Sequence, residues 1–482
     1  MLARSVATTR NALRALAPRS IVSAPFSTNP LMDTDNIFSS RFPDPVPTPM
    51  LLPDYISNNW SQHPDKTAIV EGITNRSLTY SAYSSVSDRL TSAMEQTVSS
   101  TLGSRTTACI MSPNHVHYLP AILSVLRLGG VVSPANPLYT SYELRNQIEK
   151  SGSTVVFSHV GALEVVKEAI KGLNVTKVVV LEEPDVPTPE TFEGFDCAEV
   201  VGLDDLCASA SGLISEVPAH VAKAVGTGDL ALLPYSSGTT GLPKGTMLSH
   251  NNVSINIQQF GPPENDYLAP SSTVTSPLPF FHIYGLVCGA LAQGMLGNTL
   301  TTLRSFDLVR FLEMIQEHKP ERAHLVPPII LGLAKHPIVD NFDLTSLKMI
   351  LSAAAPLGGD VAAALESRVG VRCKQAWGMS ELSPAGTVVP DDAQVDQQTI
   401  GPAVGGTFTK IVCLETGVNL PPGEDNTGEL CVKGPQVMMG YLDEPDKTAE
   451  CLSEDGWLHT GDIGYHAPDG NLYIVDRLKE LI

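Results

Sequence analysis

The densest run of chemically useful residues is Tyr235-Ser-Ser-Gly-Thr-Thr-Gly-Leu-Pro-Lys-Gly245. From Ser236 to Gly245 it supplies four hydroxyls (Ser236, Ser237, Thr239, Thr240), three glycines (Gly238, Gly241, Gly245) and Lys244. Glycines let a loop turn tightly and expose its amides. Successive N–H groups, hydroxyls and one ammonium together surround a polyanion, and the ligand that suits them is a chain of phosphates. A flexible Gly/Ser linker shares part of this composition. Pro243, the lack of repetition and the preceding apolar run Leu230–Pro234, which reads as a short buried strand, point instead to a built loop. Lys244 is followed by Gly245 rather than Ser or Thr, so the ordinary P-loop pattern fails.

Further stretches carry groups of complementary type. Gln375-Ala-Trp-Gly-Met-Ser-Glu381 offers an aromatic face, a hydroxyl and a carboxylate. Trp377 can stack on a flat base, and Glu381 presents the hard oxygen that Mg²⁺ prefers beside phosphate oxygens. Gly456-Trp-Leu-His-Thr-Gly-Asp462 places an acid after a tight turn, where a carboxylate can accept both ribose hydroxyls. Pro279-Phe-Phe-His-Ile-Tyr-Gly285 sets His282 among aromatics, a setting in which histidine more often packs than reacts. Leu351-Ser-Ala-Ala-Ala-Pro-Leu-Gly358 is a strand followed by a small-residue turn that suits close backbone packing or room for a flat ligand. Gly428-Glu-Leu-Cys-Val-Lys-Gly434 alternates as an ordinary strand and receives no catalytic role.

Taken together, over roughly residues 41 to 482, these motifs resemble the adenylate-forming ligases: acyl-CoA synthetases, 4-coumarate–CoA ligases, luciferases and amino-acid adenylation domains. The 4-coumarate–CoA ligases are the nearest kind. Ala376, Trp377 and Ser380 stand where that pattern usually has Gly, Tyr and Thr. The resemblance implies ATP, Mg²⁺ and coenzyme A as partners of a small carboxylic acid. It assigns Ser236, Ser237, Gly238, Thr239, Thr240, Gly241, Lys244 and Gly245 to the phosphates, Ser380 to the α-phosphate, and Thr240 with Glu381 to the metal. It assigns Gln375, Ala376, Trp377, Gly378, Asp462 and Arg477 to the nucleotide. His282 would meet the incoming carboxylate, and with Lys244 and Glu381 it forms the implied catalytic set. Tyr284, Cys288, Lys335, Ala354 and Ala385 would line the acyl pocket. Cys288 stands where coumarate ligases often have Ser, which makes that pocket less polar. In Val475-Asp-Arg-Leu-Lys-Glu-Leu-Ile482, Lys479 holds the family's pivot position. A lysine that touches coenzyme A in the family has no clear match; Ser305 occupies its place beside Arg304.

The implied activity is an ATP-dependent carboxylic acid–CoA ligase working through an acyl-adenylate, on a phenylpropanoid or fatty acid. Two alternatives stand beside it. One is a catalytically weak nucleotide or acyl-adenylate binder, expected if the chain ends at Ile482 without the family's small mobile C-terminal domain. The other is an adenylating enzyme with an acceptor other than coenzyme A.

Elements with suitable periodicity surround these motifs. Strands are expected at Thr67–Glu71, Thr106–Met111, Val131–Pro134, Thr154–Ser158 and Lys177–Leu181, with helices at Tyr118–Leu128, Ser141–Lys150 and Leu163–Lys171. Asp185–Gly212 reads as a surface excursion. A second alternating block follows, with strands Thr273–Pro277, Thr299–Leu303, Arg322–Val326 and Met349–Ser352 and helices Leu308–His318, Pro328–Lys335 and Asp360–Val369. The expected fold is α/β: two doubly wound α/β subdomains plus a smaller β-rich, barrel-like subdomain over Thr407–Val475. The domain reading is a leader over 1–30, a large adenylation domain over 41–476 and the start of a hinge over 477–482.

With 482 residues and a net charge of −20, the chain lacks the basic footprint of nucleic-acid binding. An acidic chain still binds ATP where local donors and a metal ion set the potential. No apolar run is long enough to span a bilayer. Eight cysteines without a Cys-x-x-Cys pair suit reduced, mostly buried thiols rather than structural zinc. Arg4, Arg10, Arg14 and Arg19, with Ser and Thr throughout and no acid before Asp33, make residues 1–30 resemble a mitochondrial transit peptide; plastid, peroxisome and cytoplasm are the alternatives. Nothing in the sequence sets an oligomeric state.

Overall fold

The computed structural model describes residues 31–98, 105–195, 198–236, 243–264, 272–393 and 396–478. Their strands assemble into three sheets. The first runs Tyr235–Ser236, Lys244–Ser249, Leu230–Leu232, Val131–Ala135, Thr107–Met111, Ser153–His159, Lys177–Leu181, Glu199–Gly202, with Gly440–Tyr441 added beside Lys244–Ser249. From Leu230–Leu232 to Glu199–Gly202 the neighbours are parallel. Thr107–Met111 and Lys177–Leu181 are buried at every position, as parallel strands covered on both faces are.

The second sheet runs Ala385–Val388, Arg372–Gly378, Met349–Ser352, Arg322–Leu325, Thr273–Thr275, Thr299–Thr302, Thr67–Glu71, Arg76–Thr79. Its interior is parallel and its two edge pairs are antiparallel. The third, smaller sheet is antiparallel: Leu31–Met32, Phe38–Ser39, Phe408–Val412, Gly428–Lys433, Leu458–His466, Leu472–Arg477. The α/β class and the smaller β-rich unit are as expected.

Two expectations are corrected. Thr67–Glu71, assigned by position to the first block, pairs in parallel with Thr299–Thr302 in the second sheet. Periodicity marks a strand but carries no information about its partner. Asp185–Gly212 is not merely an excursion: Glu199–Gly202 adds a parallel edge strand beside Lys177–Leu181, and a helix covers Leu203–Ala208. The first two strands of the third sheet also precede residue 41, so that sheet draws on sequence the motif reading left aside.

Helix Tyr118–Arg127 is buried at every position, the pattern of a helix enclosed on all sides. Its one charge, Arg127, is satisfied by Asp88 at 2.8 Å and Ser87 at 2.9 Å. One apolar cluster includes Ile110 and Val132 of the first sheet, Ile69 and Leu300 of the second, and Leu430, Leu458 and Leu472 of the third. Each such side chain contributes about 2 kcal/mol by leaving water. No helix among the described residues is long and apolar enough to cross a membrane.

Candidate active site

A cavity of about 730 Å³ takes lining residues from all three sheets. Of the residues expected to meet phosphates, Lys244 lines it. Ser236 pairs with Lys244, closing the two ends of the Gly/Ser/Thr loop as an antiparallel ladder. Ser237, Gly238, Thr239, Thr240 and Gly241 lie outside the described residues, as do Lys479 and the Ser236 side chain. Gly245 is packed so closely that an added Cβ would sit 3.1 Å from Leu233 Cδ1 and Tyr235 Cζ. Lys244 Nζ lies 4.8 Å from the centroid of the Tyr441 ring, within cation–π range. The Tyr441 hydroxyl donates to Glu381 Oε1 at 2.6 Å. Burial and the neighbouring Glu381 charge push the Tyr441 hydroxyl well above the usual phenol range, so it remains a donor. Tyr441 is fixed from behind by its backbone pairing with Thr246. The motif reading missed it; the available signal was an aromatic directly after Gly440, whose φ of +135° only glycine adopts readily.

Three of the residues expected to hold the nucleoside are clamped together. Trp377 Nε1 donates to Asp462 Oδ2 at 2.8 Å, and Arg477 Nε meets Asp462 Oδ1 at 2.9 Å. Burial raises the Asp462 carboxyl, opposed by the Arg477 charge and the indole hydrogen bond. Gly386 makes room for the indole: a Cβ there would lie 2.6 Å from Trp377 Cζ3. A bulge aims Asp462. Glu429 pairs with Ile463 but Cys431 with His459, so the strand Leu458–His466 carries the extra residues. Gly461 sits in the bulge at φ +71°, its N–H donating to Glu429 Oε1 at 3.0 Å. Bulges commonly redirect a side chain in this way.

Among the residues expected at the acyl group, His282 opens onto the cavity before the π-helical segment Tyr284–Leu291. Such segments concentrate at functional sites. His282 Nδ1 accepts the Tyr284 N–H at 3.4 Å, which places the proton of the neutral ring on Nε2. Desolvation lowers its pKa, so the ring is neutral at pH 7. Tyr284 and Cys288 are buried in the wall, and the Tyr284 hydroxyl donates to the Leu351 carbonyl at 3.3 Å. Ala354 lines the cavity with φ +73°, a left-handed conformation that costs a non-glycine residue about 1 kcal/mol or more. Ala385 is gripped by buried Asn256, which accepts its N–H at 3.0 Å and donates to its carbonyl at 2.9 Å.

Ala376, Gly378, Ser380 and Glu381 also line the cavity. Among the described residues, the expected contributors Gly245, Lys335 and Gln375 do not. Lys335 is the exposed last residue of helix Pro327–Lys335, away from the cavity lining. Gln375 bonds instead to the Leu357 N–H at 3.2 Å and the Gln397 carbonyl at 2.6 Å, bracing a loop. Arg304 is paired with Asp185, beside exposed Ser305. The lining holds Glu143, Glu381, Glu429, Glu450 and Asp462 against Lys244, Lys447 and Arg477. An acidic excess of this kind among the described lining residues leaves a place for a divalent cation. Glu381, one carboxylate beside the phosphate end, matches the ligand habit of Mg²⁺.

Residues 56–442 match the family model described as AMP-binding enzyme. The 4-coumarate–CoA ligase 5 of Oryza sativa subsp. japonica is 34% identical over 455 residues, covering 92% of this chain and 79% of that protein. The 4-coumarate–CoA ligase 3 of Arabidopsis thaliana is 34% identical over 462 residues, covering 93% of this chain and 77% of that protein. Among solved structures, a long-chain-fatty-acid–CoA ligase from Archaeoglobus fulgidus superposes with a TM-score of 0.78 at 25% identity, covering 91% of this chain and 87% of that one. The luciferase-like enzyme of Zophobas morio shares the fold, with a TM-score of 0.73 at 22% identity over 92% of this chain and all of that one. With a family model matched over most of its length and ligases of one kind among its relatives, the chain belongs to the AMP-binding enzyme family and is an acid–thiol ligase of the AMP-forming, acyl-CoA synthetase kind.

Proposed function

We propose that the protein is an ATP-dependent carboxylic acid–CoA ligase that activates a phenylpropanoid or fatty acid as its acyl-adenylate. The observation that carries this reading is the joining of a phosphate end, a nucleoside clamp and an apolar pocket headed by His282 in one cavity. A carboxylate is a poor acyl donor because its leaving group would be oxide. Attack by a carboxylate oxygen on the α-phosphorus of ATP forms a mixed anhydride and expels pyrophosphate. The thiol of coenzyme A then attacks the anhydride carbonyl, losing its proton, and AMP leaves. Neither step demands protein covalent chemistry; both demand alignment and neutralised charge.

Lys244 holds charge at the β and γ phosphates, and the Ser380 hydroxyl bonds the α-phosphate. Glu381, steadied by Tyr441, is the side chain that would hold Mg²⁺; when bound, that ion neutralises phosphate oxygens. His282, neutral with its proton on Nε2, donates a hydrogen bond to the substrate carboxylate without a competing full charge. Phe260, Tyr284, Cys288 and Ala385 keep water from the acyl group.

The test is ATP–pyrophosphate exchange across a panel of aromatic and fatty acids, followed by thioester formation with coenzyme A. Acid-dependent exchange is expected, and Lys244→Ala should lower it by about 100-fold, the loss typical of a removed transition-state donor. Unchanged exchange in that variant would sink the phosphate assignment. Acid-dependent exchange without thioester would shift the reading to a different acceptor.

A further inference from the structure

Beside the nucleoside clamp, but outside the roles given above, Glu429, Cys431 and His459 bring one ligand atom each to within 4.8 Å of one another. Glu429 and Cys431 are two apart on the strand Gly428–Lys433 and so share a face, while His459 is the cross-strand partner of Cys431. The contacts converge on a single atom. His459 Nδ1 lies 2.8 Å from Glu429 Oε2 and 3.4 Å from Cys431 Sγ.

A catalytic relay needs the thiol and the acid on opposite nitrogens of the imidazole, one receiving a proton and the other being oriented. Here both meet the same nitrogen, so a Cys–His–Glu relay is excluded. Hydrogen bonding serves the His459–Glu429 pair but leaves the thiol with weak contacts only. If Nδ1 carries a proton, it donates to Glu429 and has nothing for the thiol. If it is bare, it accepts from the thiol and faces the carboxylate lone pair to lone pair. The other contact of the thiol, with the Glu429 carbonyl, is long at 4.0 Å. A cation satisfies all three groups at once.

We propose that Glu429, Cys431 and His459 form a binding site for a soft or borderline divalent cation, zinc above all. Thiolate and imidazole select Zn²⁺ over Mg²⁺, and three protein ligands leave a fourth position open. That position faces the cavity, since Glu429, His459 and Gly461 all line it. The Cys431 side of the site is closed, with 0% exposure, whereas the His459 side chain is 40% exposed and gives the ion an entry path. The thiol loses its proton on binding, so loading releases acid and tightens as pH rises. The site is separate from the phosphate-side carboxylate Glu381.

The test uses the full chain, stripped with a chelator and titrated with Zn²⁺ alone or Co²⁺ alone. One equivalent is expected, with Co²⁺ giving a near-ultraviolet thiolate charge-transfer band and tetrahedral visible bands. Cys431→Ser should abolish the charge-transfer band, while Cys451→Ser and Glu381→Gln should keep it. A band that survives in Cys431→Ser, or its absence from the unaltered protein, would overturn the proposal. Should Cys431→Ser fail to fold, His459→Gln decides alone, because that side chain is partly exposed. A fall in zinc affinity of more than about tenfold supports the site, and unchanged affinity refutes it.

Discussion

Tyr441 joins the two groups proposed to meet the phosphates and their metal ion. Its ring faces the Lys244 ammonium and its hydroxyl bonds Glu381. Tyr441→Phe keeps the ring and deletes a hydrogen bond to a charged acceptor, worth about 1.5–3 kcal/mol. The kcat/KM for ATP should drop by about tenfold or more, and the magnesium requirement should rise. Unchanged kinetics across a magnesium titration would remove Tyr441 from the site. His466 supplies a pH signature of a different kind. Buried against Phe38 at 4.0 Å and beside Thr409, it has its pKa lowered from 6.5 to about 3 by desolvation. Below about pH 6.5 the unfolded chain takes a proton that the folded chain refuses. The contribution is thus fully present above that pH and is lost as pH falls towards 3. Between about pH 7.5 and about pH 5.5 the loss is ~1.4 kcal/mol. His466→Gln should flatten the pH dependence of the urea midpoint by that amount, and an unaltered slope would show that the ring is not desolvated. Lys244, Trp377, Asp462, Arg477 and His282 were legible because each is a chemistry-bearing type set among glycines, aromatics or strand residues. Ala354 at φ +73° and Asn256 gripping Ala385 were not, since neither alanine nor a helical asparagine announces its backbone or its distant partner.

Strands and helices with strong internal pattern were read almost to the residue: Lys177–Leu181, Met349–Ser352 and Leu308–His318 stand as expected. These segments hold their type locally, through continuous apolar runs or a 3.6-residue stripe. What the pattern could not supply was neighbourhood. Thr67–Glu71 crosses to the second sheet, and Gly440–Tyr441, only two residues long, docks beside the phosphate strand. Short elements of that kind are held by tertiary pairing rather than by propensity. The contact between strand Ala385–Val388 and its neighbour Arg372–Gly378 shows how tight such pairing is. Gly386→Ala would thrust a Cβ to 2.6 Å from the Trp377 ring and 2.9 Å from Leu382 Cδ1. The expected cost is about 1–3 kcal/mol of stability, with ATP affinity weakened because the indole leaves Asp462. Gly212→Ala, which meets nothing within 4 Å, is the matched control. Equal melting temperatures and equal ATP affinity for the two variants would show that the indole has other room.

At the scale of the molecule, a net charge of −20 and an acidic cavity are compatible with the proposed polyphosphate ligand where the cations Lys244, Lys447 and Arg477 line that cavity and a divalent ion would join them. The same apolar cluster runs through all three sheets, so the walls of the cavity are not independent bodies. A ligand bound at 100 times its Kd adds about 2.7 kcal/mol to unfolding. If the three sheets open as one unit, ATP or acyl-adenylate should raise a single thermal transition, and a split transition would show that they open separately.

The cross-strand bond between Asp462 and Arg477, in the smallest sheet, extends this coupling beyond the ligand's own contacts. The clamp is built on the strand Leu458–His466, which hydrogen-bonds Gly428–Lys433, which in turn bonds Phe408–Val412. That last strand contributes nothing to the cavity lining. A nucleoside held by this clamp, as proposed, would tighten a ladder whose far rungs never meet it, and the amides of Phe408–Val412 should then exchange with deuterium more slowly in the bound enzyme.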